Sequence, residues 1–129
     1  MGSRHYVGSL SREERRRIAA YINLDMVGSP NAVGEVYVDG DQKLTGVLRR
    51  SAAGRLGGVA AGGGSDHASF TSAGIAVSGL YTGGPEPGPE GRPRDPCYHL
   101  SCDTLQNVDR RVLLRMARTA ARAISRLSG

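Results

Sequence analysis

Three runs of strand length, residues 21–26, 35–38 and 75–81, are separated by segments carrying helix signals, and this alternation restricts the chain to an α/β arrangement. In the first run Ile22, Leu24 and Met26 share one face and Asn23 and Asp25 the other, before Gly28-Ser29-Pro30 ends it; the pattern predicts a strand with an inward carboxylate. Asp25 falls near the carboxyl end, where open α/β sheets place their ligand crevices. A site role and a turn-capping role are equally compatible with that position. The second run ends in Asp39-Gly40-Asp41 and leads into the stripe Leu44, Val47, Leu48, which runs to about Gly54 and makes a βα unit. Residues 55–64 hold five glycines with no Lys-Ser or Lys-Thr pair after them. A phosphate loop is excluded, and a flexible connection is expected. The third run is almost continuously apolar, as a buried strand is, and opens into a proline-rich loop over residues 82–96.

Helix signals fall between and around these runs. Ser11-Arg12-Glu13-Glu14 is a capping box, and residues 2–10 have helical character without a start signal. Ser65 is a favourable cap for a short helix that Gly74 can end, which fixes Asp66 and His67 in its first turn. Adjacent Ser65, Asp66 and His67 cannot converge on one reacting atom, and no Gly-x-Ser-x-Gly elbow exists, so a serine hydrolase is excluded. Asn107 or Asp109 caps a final helix whose stripe, Val112, Leu113, Met116, Ala120, Ile124 and Leu127, is expected to pack on the sheet.

With 129 residues, 39% apolar content, one Phe and no Trp, the chain suits one domain at most, with a modest core. Its net charge of +5 comes from sixteen arginines against one lysine. Arg111, Arg115, Arg118 and Arg122 recur at helical spacing opposite the apolar stripe, which describes a solvated helix face and not a nucleic-acid surface. No apolar run approaches membrane-spanning length, and the first residues lack the apolar core of a signal peptide.

The chemistry concentrates in residues 95–104, where two thiols, an imidazole, a phenol and carboxylates lie within ten positions. Cys97 and Cys102, the only cysteines, are spaced to close a small disulfide ring that would hold Tyr98 and His99 on a rigid rim. A metal-thiolate site is the alternative. A closed structural zinc site would need four ligands, and the loop offers two thiols and one imidazole.

Five ordered motifs carry a family resemblance. They are Gly2-Ser3-Arg4-His5-Tyr6-Val7, Asn23-Leu24-Asp25-Met26-Val27-Gly28-Ser29-Pro30-Asn31, Ser65-Asp66-His67 with Phe70, Gly79-Leu80-Tyr81-Thr82-Gly83, and Cys97-Tyr98-His99 with Cys102-Asp103-Thr104. Over nearly its whole length the chain resembles secreted bacterial two-zinc aminopeptidases of the leucyl aminopeptidase type. The resemblance implies a partial three-layer αβα sandwich with a mixed central sheet, residues 1–129 forming the carboxyl-terminal portion of a single catalytic domain. It implies Asp25 as ligand to one zinc and His99 as ligand to the other, with Tyr98 as a donor to the developing oxyanion. Asp66 and His67 match a motif beside the site, with a second-layer or structural duty. A peptide with a free amino terminus is the implied substrate, and a secreted location follows from the resemblance alone, with neither nucleic acid nor membrane as a partner.

The family's other ligands and its glutamate base precede the Gly-Ser-Arg-His-Tyr motif, at which this chain begins. Glu13 and Glu14 follow the motif and are accounted for by their capping box. Gly64 stands where close relatives carry an arginine, and Ser69 where a proline is usual. Two expectations result: a zinc aminopeptidase portion inactive by itself and completed by an amino-terminal half, or a non-catalytic binding module that uses the basic final helix.

Overall fold

The computed structural model describes residues 2–129. In chain order its elements are α1 (Gly2–Ser9), α2 (Arg12–Arg17), β1 (Tyr21–Asp25), β2 (Glu35–Tyr37), α3 (Gln42–Ser51), β3 (Gly57–Val59), α4 (His67–Ser72), β4 (Val77–Tyr81), a 3-10 turn (Pro89–Gly91) and α5 (Arg110–Ser128). The four strands form one mixed sheet in the order β1-β4-β2-β3. β1 runs parallel to β4, β2 antiparallel to β4, and β3 parallel to β2.

Alternation along the strands sends Val36 and Leu80 to one face of the sheet, where they meet Leu48 of α3 and Met116, Ala120 and Ala123 of α5. On the other face Val77 joins Val7 of α1 and Phe70 of α4, and Tyr21 stacks on Phe70 with ring centroids 3.8 Å apart. Two helical layers thus enclose the sheet, giving the three-layer α/β arrangement that the motifs imply.

The helices end where their sequences say. Ser11 Oγ accepts from Glu14 N while Glu14 Oε2 accepts from Ser11 N, so the capping box is complete. Asp41 Oδ1 accepts from Leu44 N at the start of α3, and Asp109 caps α5 through Arg111 N and Val112 N. No helix among the described residues is long and apolar enough to cross a membrane.

Three local expectations are corrected. The stretch 55–64 is not merely a connection: Gly57–Val59 forms β3 alongside β2, a pairing supplied by tertiary contact where Gly-Gly-Val has no strand pattern of its own. In β1, by contrast, Asn23 is buried as the inward face predicted for it and Asp25 implies, while Leu24 on the opposite face is half exposed because β1 is an edge strand. Ser65 does not cap α4; its hydroxyl instead accepts from Asn23 Nδ2 at 3.0 Å, and the cap position is Asp66, whose side chain makes no capping bond. In α5 the buried line is Met116, Thr119, Ala120 and Ala123, so Leu113, Ile124 and Leu127 lie largely exposed on its flank. The helix leans on α3 as well as on the sheet, and that second contact rotates its inward face.

One long edge of the sheet, β1, has no neighbour among the described residues and carries half-exposed Leu24. Such an edge is a template for further pairing. Sedimentation velocity on the 129-residue chain is expected to show concentration-dependent association, and a strictly monomeric chain across the micromolar range would contradict this.

Candidate active site

Asp25 and Tyr81 end the parallel strands β1 and β4 in register, and Tyr81 is also opposite Glu35 of β2. Side chains two apart on a strand share a face, so Asp25, Tyr81 and Glu35 form a row on the α4 side, at the carboxyl edge of β1 and β4. Behind the row lies a polar layer. Asn23 donates to the Tyr37 hydroxyl at 2.8 Å and accepts from the Tyr21 hydroxyl at 3.2 Å. Tyr37 reaches Asn23 by lying across Gly79, where a Cβ would stand 2.6 Å from Tyr37 Cε2, so only glycine leaves room. Burial pushes the Tyr37 hydroxyl above the usual phenol range, the Asn23 hydrogen bond opposes this, and the nearby Asp25 charge adds to it.

The loop after β4 folds back over this edge. Arg94 N donates to Glu86 O and Asp95 N to Gly84 O, while Asn31 Nδ2 donates to Pro93 O. Arg94 then reaches down to Glu35 with Nη1 2.6 Å from Oε2, both side chains being largely buried. Gly83 has φ +119°, and a Cβ there would overlap the Arg94 side chain, so the path of the arginine requires glycine. Asp95, buried, accepts from Cys97 N and from Asn107 Nδ2, which fixes the start of the next segment.

That segment is closed by the expected disulfide between Cys97 and Cys102, with Cα atoms 5.3 Å apart. On its rim the rings of Tyr98 and His99 stack with centroids 4.0 Å apart, and His99 has φ +57°. Tyr98 Cδ2 lies 3.4 Å from where a Cβ on Gly84 would stand, so the platform sits against the first residues after β4. Among the described residues the side chains of Asp25, Tyr98 and His99 take no part in the hydrogen bonds of this region, which engage their neighbours instead.

Asp66 and His67 lie farther back, on α4. His67 is buried, and its Nε2 donates to Gly62 O at 2.8 Å, leaving Nδ1 without a partner among the described residues. Its ring stands 5.3 Å from that of Tyr37, centroid to centroid. Asp66 is exposed, and its charge adds to burial in raising the Tyr21 hydroxyl.

Sequence reasoning passed over Glu35, Tyr81, Glu86 and Arg94. The Tyr81 hydroxyl donates to Glu86 Oε1 at 2.5 Å, and Gly84 N donates to Glu86 Oε2 at 2.6 Å. Burial, then the bond to Glu86 and its charge, push the Tyr81 hydroxyl far above the usual phenol range. Only Tyr81 had a visible signal, its place at the end of a buried strand.

The description of peptidase family M28 matches residues 1–124. The chain belongs to this family. Leupeptin-inactivating enzyme 1 of Streptomyces exfoliatus is 37% identical, over 96% of this chain and 31% of that protein. An aminopeptidase of Pseudomonas aeruginosa is 36% identical, over 88% of this chain and 26% of that protein. The structure of BSAP, a zinc aminopeptidase from Bacillus subtilis, superposes with a TM-score of 0.80 at 29% identity, covering 98% of this chain and 32% of that one. This M28 chain therefore spans about a quarter to a third of the length of the relatives it matches.

Family M28 and its zinc-containing structural neighbours bring zinc to this fold. A zinc ion in a catalytic site takes about three protein ligands. Among the described residues no group of three or more His, Cys, Asp or Glu side chains converges. The donors of this chain alone thus do not fit a zinc site, and no reaction step can be built through a metal on them.

Proposed function

We propose that this chain is the carboxyl-terminal portion of a zinc aminopeptidase domain that removes amino-terminal residues from peptides. The M28 match along residues 1–124 carries the reading. Asp25 and His99 would each supply one ligand, to two different zinc ions. The remaining ligands and the base would come from outside these residues, the chain spanning about a quarter to a third of the length of the relatives it matches. Tyr98, whose phenol has no hydrogen-bond commitment in the loop that carries it, donates to the oxygen that becomes negative as the peptide carbonyl is attacked. Asp66 and His67 act behind the site, with His67 holding the Gly62 loop and packing beside Tyr37. The disulfide fits an oxidising, extracellular location.

The test uses the polypeptide as its gene encodes it, with leucine p-nitroanilide as substrate. Tyr98→Phe is expected to lower kcat by about a hundredfold with little change in KM, the signature of a donor that acts on developing charge. An unchanged kcat would remove Tyr98 from the reaction, and absence of hydrolysis by the unaltered polypeptide would remove the peptidase reading.

A further inference from the structure

The carboxylate of Glu86, in the returning loop, is fixed in place at this sheet edge while staying partly exposed, unlike that of buried Asp95. Both of its oxygens are anchored, one by the Tyr81 hydroxyl and one by Gly84 N. Those anchors belong to residues that face the candidate site: Tyr81 stands in the row with Asp25, and Gly84 lies under Tyr98. Glu86 itself remains partly exposed, so the carboxylate is held without being shut off from a ligand. Each anchored oxygen keeps a second lone-pair direction free to accept.

The charge around it is unbalanced. Arg94 lies at this edge, and its guanidinium is committed to Glu35 at 2.6 Å. Glu86 and Asp25 are left without an ion-pair partner among the described residues. Burial works against the charge on Glu86, but the Tyr81 and Gly84 hydrogen bonds and the charge of Arg94 outweigh it and hold the carboxyl below the ordinary glutamate range. Glu86 is therefore ionised at neutral pH.

We propose that Glu86, fixed by Tyr81 and Gly84 beside Tyr98, receives the cationic side chain of a substrate's first residue and makes the site selective for lysine and arginine. This rests on the aminopeptidase reading and adds the substrate class to it. A carboxylate already oriented by two donors loses little freedom when it accepts a third hydrogen bond, so it discriminates a cation from an isosteric apolar chain. Tyr81 is then a positioning residue: it aims the carboxylate without touching the cation.

The experiment compares lysine with norleucine p-nitroanilide, whose side chain is that of lysine without the ammonium group, on the polypeptide as its gene encodes it. The kcat/KM ratio is expected to favour lysine by at least about tenfold. Glu86→Gln, which can still accept from Tyr81 or Gly84, should abolish the preference, while Tyr81→Phe, which keeps the charge, should weaken it and leave its direction unchanged. Circular dichroism on each variant confirms the fold. Calorimetric binding of lysinamide against norleucinamide to metal-free protein gives a second readout independent of turnover. Hydrolysis with no lysine preference, or with a preference that Glu86→Gln leaves intact, overturns the proposal while sparing the peptidase reading. If no substrate is cleaved the peptidase reading fails, and equal binding of the two amides then overturns the cation site as well.

Discussion

Purified on its own, the 129-residue chain is expected to cleave leucine p-nitroanilide at the uncatalysed rate, with or without added zinc. The deficit relative to a complete enzyme is at least about 10⁶-fold. Two independent shortages produce it. Asp25 and His99 are single donors, and no three metal-binding side chains converge among the described residues, so zinc affinity is poor. The two glutamates at this sheet edge are already engaged: Glu35 is bound to Arg94, and Glu86 is held by Tyr81 and Gly84. Supplying metal is expected to correct neither shortage completely, whereas supplying the proposed remainder of the domain is expected to correct both. Steady hydrolysis by the chain alone, removed by a chelator, would mean that the active site has been misplaced.

Arg94→Ala is expected to destabilise the chain by about 3 kcal/mol at neutral pH, since it strands the largely buried Glu35 carboxylate without its cation. The arginine also fills the space between Gly83 and Gly88, so its removal opens a void under the returning loop. The same substitution should release the segment 95–104, seen as faster hydrogen exchange of the Asp95 and Cys97 amides. The double variant Glu35→Leu, Arg94→Met should recover most of the stability, because an apolar pair can replace a buried ion pair at little cost. Urea denaturation measures both, and a loss below about 1 kcal/mol for Arg94→Ala would show the ion pair to be incidental.

The parts of this fold that were legible in the sequence are those governed by local rules. The capping box at Ser11, the Asp41 and Asp109 caps, the strands at 21–25, 35–37 and 77–81 and the Cys97–Cys102 bridge each depend on residues close in the chain. What escaped depends on distant partners. β3 exists because Gly57–Val59 meets β2, and Asn23 finds its hydrogen-bond partner because Tyr37 crosses Gly79 to reach it. The face of α5 was misread at Leu113, Ile124 and Leu127 because contact with α3 decides which flank turns inward.

The same division holds at the site. Asp25, at the end of a patterned strand, and Tyr98 and His99, inside a ten-residue cluster, drew attention from sequence alone, and the motifs then supplied the roles proposed for them. The Arg94–Glu35 pair joins residues 59 positions apart, in a loop without periodicity, and no local pattern announces it. Glu86 is invisible for a related reason: it gains its orientation from a strand end that only the folded loop brings beside it.

The central claim, one ligand from this chain to each of two zinc ions, is tested most directly by zinc anomalous diffraction from crystals of the polypeptide its gene encodes. Two peaks are predicted, one about 2.0–2.2 Å from an Asp25 carboxylate oxygen and the other about 2.0–2.1 Å from a His99 ring nitrogen. Peaks that touch neither residue, or a single ion bound by both, would contradict it.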